Sequence, residues 1–145
     1  MTKEPTKIDR GWSFLDHTAD IRMEVHGTTL EEIFLNAARG FTSLLARESS
    51  AFPSIRFEVR LEADNIEDLL VDWLRELIFY HQTQGFIFSS ADIGELSGTR
   101  LTAELAGRTL GPEEEPEIEI KAVTYHGLSV QKSNAGYAAT IVFDI

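Results

Sequence analysis

The chain has no cysteine, which removes thiolate nucleophiles, disulfides and thiolate metal sites at once and fits a reducing compartment, with the cytoplasm the simplest expectation. Basic residues are scarce: 13 Lys and Arg stand against 24 Asp and Glu, for a net charge of −11. Proteins that grip nucleic-acid phosphates need clustered cations. Here there is no basic run, and direct nucleic-acid binding is not expected. No stretch approaches the ~20 apolar residues of a membrane helix, and Met1 to Gly11 is polar, so nothing directs the chain to a membrane. Also missing are the phosphate-cradling G-x-x-x-x-G-K-[ST], G-x-G-x-x-G, H-E-x-x-H and G-x-S-x-G. The four histidines, His17, His26, His81 and His126, are far apart and share no helical face. Common textual routes to an enzyme are therefore closed, and the expectation is a protein without catalysis of its own. His26 and His81 read as surface or capping residues.

What remains is the pattern of one globular domain of 145 residues. Residues 1–11 read as a flexible N-terminus, and residues 12–145 as the domain. Trp12 to Leu15 reads as a short strand. Ile21, Met23 and Val25 then alternate with polar residues, as in a half-buried strand. Thr28 and Thr29 precede Glu31 and Glu32 at capping-box spacing. From there Leu30, Ile33, Phe34, Ala37, Ala38, Phe41, Leu44 and Leu45 form a helical stripe. Ile55 to Glu62 alternates again. Asp64 or Asn65 can cap a second helix, striped by Leu69, Leu70, Trp73, Leu74, Leu77 and Ile78 and ended by Gly85. Trp73 reads as core, with Asp72 on the wet face. Five strand-like runs follow: 86–88, 101–105, 118–123, 128–130 and 138–145. Gly111 to Pro116 is an acidic loop and Ser133 to Gly136 a hairpin connection. The order predicts an α+β fold, with two helices packed on a mainly antiparallel β-sheet.

Chemistry concentrates at two places, Asp16-His17-Thr18-Ala19-Asp20 and Val142-Phe143-Asp144-Ile145. If the last strand runs antiparallel beside the strand that begins near Asp20, the end of one meets the start of the other. Asp20, Asp144 and the α-carboxylate of Ile145 then converge. No Lys or Arg occurs among the final dozen residues to neutralise them. Oxygen-only ligation suits a hard divalent cation, Ca²⁺ or Mg²⁺, with water in the remaining positions. The plainer alternative is that Asp144 is solvated and that Asp16 or Asp20 caps a turn. Asp16, His17 and His126 are further candidates for the site. A free-standing metal-dependent phosphoester hydrolase, with His17 or His126 moving protons, is a second functional reading. A general chaperone is a third.

The segments Phe14-Leu15-Asp16-His17-Thr18-Ala19-Asp20-Ile21, Gly27 to Glu32, Asp68 to Leu74, Lys121 to Leu128 and the closing Val142-Phe143-Asp144-Ile145 occur in an order that resembles the archease family. The resemblance runs from Trp12 to the last residue. It implies a partner role: activation of the RNA-splicing ligase of the RtcB type, which uses GTP and divalent metal to guanylylate its own histidine. GTP would be bound by the ligase and not by this chain. The resemblance also implies metal ligation by Asp20, Asp144 and Ile145. One departure is Arg22, where many relatives carry Gly; on the wet face it would pair with a nearby acid or merely decorate the surface.

Overall fold

In the computed structural model, the described residues are 10–16, 20–47 and 52–145, without the side chain of Asp16. Nine elements follow in the order β1 (Trp12–Asp16), β2 (Asp20–Gly27), α1 (Leu30–Leu45), β3 (Ile55–Glu62), α2 (Ile66–Gln84), β4 (Phe86–Leu96), β5 (Arg100–Thr109), β6 (Ala122–Ser133) and β7 (Gly136–Asp144). The α+β class holds, but the strands divide between two antiparallel sheets. One has the order β1-β2-β7-β6 and the other β3-β5-β4. Chain passage through α1 moves from the first sheet to the second, and residues 110–121 lead back. Both helices contact both sheets, so the apolar stripes of α1 and α2 are buried from two directions.

Local chemistry sets the helix ends. Thr29 Oγ1 accepts from Glu32 N at 3.1 Å, while Glu32 Oε1 accepts at 2.7 Å from Thr28 N, the residue just ahead of the cap, so the two bonds fix the entry to the helix. The short, tight bonds from Thr28 hold the Glu32 carboxyl below its ordinary range. At α2 the cap is Asn65, whose side chain accepts from Asp68 N at 2.8 Å. Gly85 closes that helix at φ 68°, in the left-handed region that favours glycine, and donates to His81 O. His81 sits at this helix end, its Nδ1 3.2 Å from Phe86 O. Trp73 is fully buried, as its place in the stripe predicts.

Two strand expectations are corrected. Four strands follow α2, not five. The run 118–123 contributes only its end to β6, and 128–130 belongs to that same strand. The interruption is a bulge: Thr124 pairs with Val142 and Ser129 with Thr140, so five steps along β6 answer two along β7. The run 86–88 extends to Leu96. At the β6–β7 hairpin, Gly136 has φ 121°, and a Cβ there would lie 2.5 Å from Gly27 O. Both facts require glycine.

The expected flexible start, 1–11, lies outside the described residues except for Arg10 and Gly11. Gly11 O accepts from His26 N at 2.8 Å. Among the described residues no helix is long and apolar enough to cross a membrane.

Candidate functional site

β2 is central in its sheet, flanked by β1 and β7. Its buried residues Ile21, Met23 and Val25 face Phe143, Ile141 and Ala139 of β7, which are also buried. This pleat pins the register, because a slip of one residue would turn every apolar side chain to the wrong face. With the core side set, the opposite side follows: Asp20 is paired directly with Asp144. The antiparallel adjacency expected from the sequence is therefore present. Directly opposed residues share a face with Cβ atoms ~5 Å apart, and like charges so placed repel. The register thus brings together the two aspartates that the sequence analysis singled out.

The neighbouring residues complete the geometry. Ile145 follows β7, and its side chain packs against the buried core, which holds the chain end beside Asp144. Lys121 N donates to Asp144 O at 2.9 Å, and Ala122 is the β6 residue opposite Asp144. Among the described residues, no three His, Cys, Asp or Glu side chains gather at one point. In the set expected from the sequence, the third oxygen donor is the α-carboxylate of Ile145 and not a side chain. A donor set of oxygen alone fits a hard divalent ion.

The other candidates are placed as follows. Asp16 ends β1 opposite Ile21, not opposite Asp20. His17 lies outside the described residues. His126 is exposed and belongs to the β6 bulge, where its N–H donates to Thr124 Oγ1 at 3.1 Å. It is not in register with Asp144. Arg22 takes a place that neither sequence reading foresaw. It lies on the Asp20 face between Leu15 and Val142, and it forms no ion pair among the described residues. Its Nε is buried without a hydrogen-bond partner. The bulge covers it: a Cβ at Gly127 would sit 3.8 Å from Arg22 Nη2 and 3.7 Å from Val142 Cγ2. The wide excursion of β6 that hides Arg22 cannot be read from hydrophobic alternation, because a bulge breaks that alternation.

The same bulge meets α2. Arg75 lies over the Tyr125 ring, 5.3 Å from its centroid, and within 3.8 Å of Asp72 Oδ1. Partial burial pushes the Asp72 carboxyl up, against the lowering effect of Arg75. Glu76 is likewise raised by burial and by the neighbouring Asp72 charge.

Comparison with known proteins identifies the family and the fold. The model of the archease protein family matches residues 12–145. The protein archease of Methanosarcina mazei is 34% identical over 139 residues, covering 92% of this chain and 95% of that one. The protein archease of Thermococcus kodakarensis is 35% identical over 127 residues, covering 85% and 89%. Among solved structures, the solution structure of Methanobacterium thermoautotrophicum protein 1598 superposes with a TM-score of 0.79 at 30% identity, covering 94% of this chain and 99% of that one. The crystal structure of an archease from Thermotoga maritima, described as a possible chaperone, has a TM-score of 0.61 at 23% identity, covers 100% and 98%, and is a likeness of fold.

Proposed function

The chain belongs to the archease family, and from that premise we propose that it is a non-enzymatic activator of an RNA-splicing ligase of the RtcB type. It promotes ligase guanylylation and repeated turnover. The functional unit is residues 12–145. A divalent cation, Ca²⁺ or Mg²⁺, is held by Asp20, Asp144 and the α-carboxylate of Ile145, while GTP is bound by the ligase. The observation that carries this reading is the direct pairing of Asp20 with Asp144. Opposed carboxylates at the rim of a sheet supply charge that a cation offsets, and water fills the coordination positions that the protein leaves open. The bound ion supplies Lewis acidity or charge neutralisation. The protein's own contribution is to hold the two carboxylates on strands whose register the core enforces.

The charge balance supports a protein partner: an acidic surface at −11 is steered toward a basic one. The lack of cysteine supports action in the cytoplasm.

Single-turnover guanylylation of the cognate ligase, with GTP and divalent metal, tests the proposal. The protein should accelerate the step and Asp144→Ala should not, with both giving the same circular dichroism spectrum. Equal acceleration by the variant would remove the carboxylates from the mechanism, and no acceleration by either would remove the activator role. Because the α-carboxylate is part of the proposed set, a peptide extension after Ile145 should also impair activation.

A further inference from the structure

Four of the 13 basic residues, drawn from three separate parts of the chain, gather at one concavity. Arg10 precedes β1, Arg39 is on α1, Arg47 follows α1, and Arg108 is near the end of β5. Together with Trp12 they line a cavity of about 540 Å³, a size typical of small-molecule sites. No Asp or Glu among the described residues lines it. In a chain of net charge −11, the long-range field opposes anions and like charges resist being placed together. A local surplus of guanidinium groups therefore calls for a local reason.

The hydrogen-bond inventory has the same sign. Arg108 is held by two 2.8 Å bonds to Glu114, and Arg47 lies 3.6 Å from Glu117. Arg10 and Arg39 have no carboxylate partner among the described residues. Arg10 stacks over Trp12 at 5.2 Å and donates to Trp12 O, and Arg39 donates to Asn36 Oδ1. Trp12 Nε1 is buried and has no acceptor, although indole N–H can only donate. The charge that lines the cavity without a carboxylate partner among the described residues is cationic, on Arg10 and Arg39, so the cavity favours an anionic occupant. The helix end does not absorb these donors: of the last carbonyls of α1, Thr42 O accepts from Ala46 N and Leu45 O from Glu117 N.

Part of the lining is apolar, contributed by Ala46, Pro53, Ile87 and Phe88. We propose that this cavity binds a small phosphate monoester. Arg10 and Arg39 grip the dianion, guanidinium being the side chain best matched to phosphate oxygens. Trp12 lines the same cavity and reports on it, and the organic body lies against the apolar part of the lining. The site shares no residue with the Asp20–Asp144 pair, so this inference does not rest on the activator reading.

The two tryptophans make it testable. Trp73 Nε1 donates to Phe34 O at 2.8 Å in the core, and its indole N–H signal serves as the internal control for that of Trp12. In ¹H–¹⁵N spectra at constant ionic strength, adenosine 5′-monophosphate should shift the Trp12 signal to saturation and leave Trp73 unmoved. Inorganic phosphate should bind at least about tenfold more weakly, and adenosine should produce no shift. Arg39→Gln, at an exposed helix position, should weaken the nucleotide at least about tenfold, as should Arg10→Gln. A Trp12 signal that does not saturate, or one that responds equally in both variants, would overturn the site. Equal affinity for phosphate and the nucleotide would overturn the monoester assignment.

Discussion

Trp73 Nε1 donates a 2.8 Å hydrogen bond to the carbonyl of Phe34, and the two rings meet edge to face with centroids 6.1 Å apart. The bond ties α2 to α1 at a point from which water is excluded, since both side chains are fully buried. Replacing Trp73 by Phe removes the donor and leaves a gap beside it. The expected loss is about 2–4 kcal/mol, combining a buried bond with a cavity, read as a lower urea midpoint with an unchanged slope. A change below about 0.5 kcal/mol would show that the tie contributes little.

At the opposed carboxylates, the proposed cation site predicts that the effect of charge removal depends on the metal. Without divalent ions, Asp144→Asn relieves a like-charge pair and is expected to leave stability unchanged or raise it by a few tenths of a kcal/mol. With Ca²⁺ at about 100 times its dissociation constant, the unaltered protein gains about 2.7 kcal/mol by linkage, and the variant gains little. Thermal melts with calcium and with chelator give both comparisons, and an equal calcium response in the two proteins would argue against ligation by Asp144.

Glu76 of α2 carries a pKa raised by burial and by Asp72. A carboxyl whose folded-state pKa lies above its unfolded value binds its proton more tightly when folded. Its contribution is therefore full below the unfolded pKa and is lost as pH rises through the folded value. At pH 7 Glu76→Gln should raise the melting temperature. The difference should close as pH falls below the ordinary carboxylate value of 4.5. Parallel melts at pH 7 and pH 4 check the sign.

Glu114 behaves in the opposite sense. Its bonds from Arg108 and from Gly111 N hold its pKa down at about 2. The stability it contributes is present above its unfolded value of 4.5 and is lost as pH falls toward 2. A carboxyl carbon titration should place its midpoint well below those of the other glutamates, and Arg108→Gln should bring it back up. A midpoint in the ordinary range would mean that the pair is open in solution. The acidic loop, which the sequence presents as a hydrated charge run, is in part the anchor of one cavity arginine.

The amphipathic elements were legible because burial imposes periods of 3.6 and 2 on the chain itself. Both helix stripes, the capping positions narrowed to Thr28 or Thr29 and to Asp64 or Asn65, and the Gly85 stop follow from residue order, while the pairing of Asp20 with Asp144 follows only once the last strand is set antiparallel beside β2. Tertiary structure alone decided the division of the strands into two sheets, since alternation marks a strand without naming its partner. It also decided the β6 bulge that closes over Arg22. Most of all, it brought Arg10, Arg39, Arg47 and Arg108 together. A search for a basic run passes over four arginines separated along the chain, because electrostatics depends on distance in space, and folding sets that distance.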